Sequence, residues 1–188
     1  MTTETDTDEA LMAAVAAAGD RAALERLVRR HAGPLLGFVG RMLGGDGRRA
    51  EEIVQDALLS VWVKRALYQR DRPFKPWLYG IAVNGCRSEF RSRRWVFDDL
   101  PDDLPQTGPP ALDGDPTVGL PAGETAALVA AALDRLPPQQ RAVVMMRIWE
   151  DLPYSEIARV LDRSEGTVRS HMHHGLAALR EWLVPRME

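Results

Sequence analysis

Apolar residues recur along this chain at three- and four-residue steps, the spacing of one face of a helix. Ala50, Ile53, Val54, Ala57, Leu58, Val61 and Trp62 form one continuous stripe, with Glu51, Glu52, Gln55, Asp56 and Ser60 on the opposite face. A second stripe, Trp77, Leu78, Ile81, Ala82, Cys86 and Phe90, follows Pro76, which suits a first helical turn. Asn84, Arg87, Arg91 and Arg94 line up on another face of the same helix. Upstream, the pattern predicts a short helix over Leu11 to Ala18, a longer one over Arg21 to His31, and a further one over Pro34 to Leu43. Gly44-Gly45-Asp46-Gly47 reads as a turn. Near the C-terminus the predicted helices are Thr125 to Leu136, halted by Pro137-Pro138, then Gln139 to Trp149, Ser155 to Leu161, and one opening at an N-cap Ser164. No convincing period-two alternation interrupts this, so the fold class is all-α.

Composition then divides the chain. Residues 95–124 hold six of the 13 prolines, four glycines, and seven acids with no base. Such a segment can neither propagate a helix nor bury enough apolar surface to fold, and it reads as an extended acidic linker. The expected organisation is an acidic tail over 1–9, a helical domain over 10–94, the linker over 95–124, and a second helical domain over 125–188. The formal net charge of −3 conceals its distribution. Residues 64–94 carry nine Lys/Arg against Asp71 and Glu89, a local +7, directly before the acidic block. A basic block of this kind attracts phosphates.

Other classes fall away. No apolar run approaches the ~20 residues that span a bilayer, the first ten residues are not those of a secretory signal, and the single cysteine excludes an internal disulfide and a cysteine-based zinc site. A cytoplasmic setting is expected. No phosphate-binding Gly loop, metal-ligand spacing or paired nucleophile and base suggests an enzyme, and no cofactor is implied.

The two short helices separated by Asp162-Arg163 have the proportions of a helix-turn-helix. On the last helix Val168, Met172, Leu176, Leu179 and Leu183 would face the core. Thr167, Ser170, His173 and His174 would then point outward, with Arg169 and His171 on the flanks. Hydroxyls, Arg and His at an exposed helix start can reach base edges and phosphates in a major groove. A surface helix of an unrelated bundle would show the same spacing.

The residues here also carry a family resemblance. Leu136-Pro137-Pro138-Gln139-Gln140-Arg141, Tyr154-Ser155-Glu156-Ile157-Ala158 and Ser164-Glu165-Gly166-Thr167-Val168-Arg169-Ser170 closely resemble the fourth conserved region of extracytoplasmic-function (ECF) sigma factors. Ala50-Glu51-Glu52-Ile53-Val54-Gln55-Asp56 with Val61-Trp62, and Phe74-Lys75-Pro76-Trp77-Leu78-Tyr79-Gly80-Ile81-Ala82-Val83-Asn84 with Arg91, resemble their second region. Both sets occur in the family's order. The resemblance implies a subunit that binds core RNA polymerase and directs initiation at promoter DNA, for a stress- or signal-responsive set of genes.

Roles follow from the resemblance residue by residue. Glu52, Gln55, Asp56, Leu59 and Trp62 would dock on core polymerase. Lys64, Arg65, Asn84, Arg87 and Arg91 would hold the DNA backbone at the minus-ten element, and residues 68–73, with Tyr68 and Arg70, would select a flipped base. Tyr68, Phe74, Trp77 and Tyr79 offer faces on which unpaired bases stack, although Trp77 and Phe74 lie on the apolar stripe and suit a core equally well. Thr167, Arg169, Ser170, His171, His173 and His174 would meet the minus-thirty-five element. The linker would thread the polymerase cleft, its acids imitating RNA, or serve only as a spacer. Family members are often held inactive by an anti-sigma protein.

Two positions depart from the family. His171-Met172-His173-His174 stands where Arg-Leu-X-Arg is usual, and histidine with an unperturbed pKa near 6.5 is largely neutral at neutral pH, so weaker and pH-sensitive recognition is expected. Asp162 replaces a glycine between the helices, a residue type that tolerates a left-handed turn better than most. Two rival readings stay open: a helix-turn-helix regulator that never joins polymerase, and a decoy that binds polymerase without directing it.

Overall fold

The computed structural model describes residues 7–92 and 123–187. The linker expected over 95–124 therefore lies, except for its last two residues, outside the described residues, as does most of the acidic tail.

Eight α-helices and no strand make up the described residues: α1 (Asp8–Ala18), α2 (Arg21–Met42), α3 (Gly47–Val63), α4 (Phe74–Ser92), α5 (Glu124–Asp134), α6 (Pro138–Ile148), α7 (Tyr154–Leu161) and α8 (Glu165–Met187). A single 3-10 turn, Arg65–Leu67, leaves α3. The side chains that start α1, α2 and α3 are polar residues able to accept from an orphan backbone N–H. Thr7 Oγ1 accepts from the Ala10 amide at 3.2 Å, Asp20 Oδ1 from Ala23 at 3.0 Å and Asp46 Oδ1 from Arg49 at 3.1 Å. Gly19 ends α1 in the left-handed region at φ 64°, a conformation open to glycine without the Cβ penalty.

Two expectations are corrected here. Asp8 and Glu9 are not tail but the first turn of α1: Asp8 meets Arg30 Nη1 at 2.9 Å and His31 Nε2 at 2.7 Å. Glu9 Oε1 reaches across to accept from the Phe74 amide at 3.1 Å, satisfying the start of α4. Arg21 to Met42 is one helix, where two were expected, and it runs through Pro34. Packing of Leu27, Leu35, Phe38 and Met42 on a common face, all buried, outweighs the loss of one N–H and the ring's crowding of the preceding turn.

The N-terminal core is the junction of α2, α3 and α4. Phe38, Met42, Ile53, Val54, Ala57, Val61, Leu78, Ala82, Cys86 and Phe90 are all buried there, and burial of that many large side chains at ~25 cal/mol per Å² is the main force holding these helices together. Gly85 allows α3 and α4 to close in, since a Cβ there would meet Ile53 Cγ2 at 2.8 Å. The C-terminal core gathers Leu133, Leu136, Val143, Val144, Ile157, Leu161 and Val168 from α5 to α8. The two groups touch in the folded chain: α7 packs on α4, and α5 and α6 on α2.

Candidate functional site

Three surfaces carry the residues singled out from the sequence. The first is the outer face of α3. Gln55, Asp56 and Leu59 are exposed, Leu59 at 60%, and Val63 extends the strip at 65%. Glu52 is half-buried and engaged by Arg48 at 3.3 Å and by Arg49, and these two hydrogen-bonding arginines hold its carboxyl below the usual carboxylate range. Arg49 also donates to the buried Glu89 of α4 at 2.7 Å. Trp62 is half-buried with the Arg65 guanidinium 4.4 Å from its ring, and it lines a pocket with Arg21, Leu24, Glu25 and Val28.

The second surface is the start of α4 and the loop before it. Lys64, Arg70 and Asn84 are exposed, and so is Arg91. Arg65 is half-buried and donates to the Trp62 carbonyl at 2.7 Å. The aromatic residues fall differently from the stacking expectation. Tyr68 is 6% exposed, its hydroxyl donates to the Arg72 carbonyl at 2.6 Å, and its ring packs 5.2 Å from Trp77. Burial pushes its phenol up to about 12, with Glu9 and Asp8 adding to the rise. Phe74 and Tyr79 are wholly buried. These rings brace the 68–73 loop from inside, and the loop presents Gln69, Arg70, Asp71, Arg72 and Pro73 outward. Arg87 does not face outward: it is half-buried and donates to the Leu161 carbonyl at the end of α7, at 2.6 Å.

The third surface is the pair α7 and α8. Asp162 joins them at φ 55° and ψ 52°, the left-handed conformation expected of it. Ser164 caps α8, its Oγ accepting from the Thr167 amide at 3.1 Å. Arg169 is exposed, lies 4.4 Å from the Tyr154 ring and pairs with Glu165 at 3.4 Å. Thr167 and Ser170 are half-exposed, and His173 and His174 are exposed with their rings 5.6 Å apart. His171 was expected on the flank and is instead 8% exposed. Leu176, expected in the core, is 42% exposed. Gly175 explains both. It takes the core position on α8, where a Cβ would meet Val144 Cγ2 of α6 at 2.8 Å. The buried seam therefore runs through Val168, His171, Met172 and Gly175, and Leu176 turns away. With His171 inside and its neighbours outside, the three histidines do not converge, and no group of three or more His, Cys, Asp or Glu able to hold a metal occurs among the described residues.

Residues that sequence patterns did not single out join the two helical groups. Arg141 is 2% exposed. Its Nη2 donates to the Asp134 and Leu136 carbonyls at 2.6 and 3.3 Å, and its Nη1 to those of Arg41 and Met42 at 2.9 and 3.2 Å. Lys75 Nζ lies 2.9 Å from Glu150 Oε2 and donates to the Glu150 carbonyl, also at 2.9 Å. Arg141 stands inside a recognised motif, but nothing in the pattern signals that it reaches a second helical group.

Comparison with known proteins agrees with this geometry. Residues 27–96 match the family described as Sigma-70 region 2, and residues 126–179 match Sigma-70, region 4. The ECF RNA polymerase sigma factor SigL of Mycobacterium tuberculosis is 33% identical over 166 residues, covering 88% of this chain and 91% of SigL. The chain belongs to the ECF sigma factors. The ECF sigma factor SigE of Mycolicibacterium smegmatis is 36% identical over 171 residues, which cover 89% of this chain and 65% of the longer SigE. Among solved structures, CnrH in complex with the cytosolic domain of CnrY superposes with a TM-score of 0.69 at 25% identity, covering 95% of this chain and 97% of CnrH. Members of the family are transcription regulators that direct RNA polymerase to promoters, and this ECF sigma factor has that function. No helix among the described residues is long and apolar enough to cross a membrane.

Proposed function

We propose that this sigma factor divides its work among the three surfaces, with residues 10–94 as the polymerase-binding and minus-ten domain, 125–188 as the minus-thirty-five domain, and 95–124 as the linker between them. The outer face of α3 docks on core polymerase. Gln55, Asp56, Leu59 and Val63 form its centre, and Glu52 and Trp62 its edges. Lys64, Arg65, Asn84 and Arg91 hold the DNA backbone at the minus-ten element, and Arg87 joins them once it leaves the Leu161 carbonyl. The 68–73 loop, stiffened by the buried Tyr68, selects the flipped base through Arg70 and its neighbours. Thr167, Arg169, Ser170, His173 and His174 meet the minus-thirty-five element, and His171 supports that helix from the core. A stress- or signal-responsive set of genes and an inhibitory anti-sigma partner complete the reading, in the cytoplasm where polymerase works.

The uncovered α3 face carries this assignment. An apolar strip beside Gln55 and Asp56 has no use in a helix-turn-helix regulator that acts alone, and an exposed apolar patch rimmed by polar groups marks a protein interface. Transcription in vitro with core polymerase tests it. The expected result is initiation at defined start sites that needs both the protein and an intact α3 face. Polymerase binding without initiation would make the protein a decoy, and no polymerase binding at all would return it to the ordinary regulators.

A further inference from the structure

Glu150 follows α6 and enters the N-terminal helices as a single acid among cations. Its side chain is 9% exposed. Lys75 of α4 holds both its carboxylate and its backbone carbonyl, each at 2.9 Å. Arg41 of α2 is buried, lies within electrostatic reach of Glu150 and stands 5.8 Å from the neighbouring Trp149 ring. Tyr79, wholly buried, lies beside the same lysine, its ring 5.8 Å from Lys75 Nζ. A carboxylate removed from water needs cations and donors around it, and here every one comes from the other helical group. Two further contacts flank it: Arg87 on the Leu161 carbonyl, and Arg141 on the last carbonyls of α2. The end of a helix carries partial negative charge on just those carbonyls.

The contact takes residues away from promoter DNA. Arg87 is turned inward, and α7 covers part of the α4 face that would meet the minus-ten element. It also limits reach. Elements centred at minus ten and minus thirty-five are separated by roughly 25 base pairs, about 85 Å at 3.4 Å per pair. A compact chain of this length has a radius of gyration of only about 16 Å. A closed chain therefore cannot hold both elements.

We propose that the Glu150 contact is an intramolecular latch, which keeps the free chain closed with part of its minus-ten surface turned inward until polymerase or DNA opens it. The autoinhibitory consequence rests on the proposed assignment of α4 to the minus-ten element; the closure itself does not. Because apparent affinity falls with the fraction of competent molecules, a chain that is closed most of the time binds promoter DNA weakly until the latch is broken.

Small-angle scattering on the full chain tests closure, with circular dichroism to verify that each variant keeps its helices. Glu150→Ala and Lys75→Ala should each enlarge the radius of gyration. The double variant should open by clearly less than the sum of the two, because both remove the Lys75–Glu150 carboxylate pair. Promoter-DNA affinity of the isolated chain should rise about tenfold in each, in proportion to the opened fraction. If the single variants stay as compact as the parent, or the double variant opens by the sum of the two, there is no latch at Glu150. Opening without a gain in DNA affinity overturns autoinhibition. A parent that initiates at no promoter refutes the sigma reading, while scattering still decides on closure.

Discussion

A guanidinium shut away from water must find acceptors for its N–H groups, and Arg141 finds four backbone carbonyls and the Asp134 carboxylate at 3.3 Å. Burial lowers its pKa to about 10, against the opposing pull of Asp134. The value lies far enough above neutrality for the charge to persist. The folded pKa is depressed below the unfolded 12.5. The two states therefore bind different numbers of protons only above about pH 10, where this group makes stability rise with pH, and at physiological pH its contribution is flat. Arg141→Ala leaves carbonyls of both helical groups without donors. Urea denaturation should show a loss of about 3–5 kcal/mol, the cost of breaking a buried charged network. Arg141→Lys should recover less than half of that, because one ammonium lacks the fork that serves both helix ends at once.

Helix contacts in this protein depend on glycines as much as on large side chains. Gly175 lets α8 close on α6, and an added Cβ would sit 2.8 Å from Val144 Cγ2. Val is stiff about its first side-chain torsion in a helix, so it cannot swing aside freely. Gly175→Ala should therefore destabilise by about 1–2 kcal/mol in thermal or urea unfolding, overpacking outweighing the ~1 kcal/mol that Ala gains over Gly in a helix. Gly80→Ala is the opposite case. No atom from another part of the fold lies within 4 Å of its added Cβ, and it should stabilise α4 by about 0.5–1 kcal/mol. The same contrast explains what the sequence could convey. The stripes of α3 and α4 were legible because their buried residues repeat with the helical period, and Asp162 because its residue type suits the left-handed turn it adopts. Leu176 and His171 were misplaced because a period counts side chains, and the core position between them is a glycine with none. Pro34 signalled a break that the shared apolar face of α2 overrode. Tyr68 looked like a stacking face, yet whether an aromatic ring points to solvent depends on partners distant in sequence, here Trp77 and the Arg72 carbonyl. Glu150 had no periodic signature at all, since its cations lie more than seventy residues away.

At the scale of the whole molecule, the proposed polymerase-docking face and the proposed latch occupy different sides of the N-terminal helices. The C-terminal helices pack on α2 and α4, while α3 turns Gln55, Asp56, Leu59 and Val63 outward in the closed chain. A surface that is already exposed requires no opening before it binds, so docking on polymerase can precede release of DNA-facing residues. Sites without shared partners act on free energy additively. Leu59→Asp places a charge in the middle of the apolar strip. Charged residues are depleted at interface cores, and the substitution should weaken binding to core polymerase by about tenfold or more, a cost of ~1.4 kcal/mol per decade. In the parent and in Glu150→Ala, fluorescence titration of labelled full chain with core polymerase should give the same factor within about twofold, and scattering should find Leu59→Asp as compact as the parent. A factor that shrinks in the opened chain would mean that α3 and the latch share a partner surface. Docking and opening would then be one event instead of two successive ones.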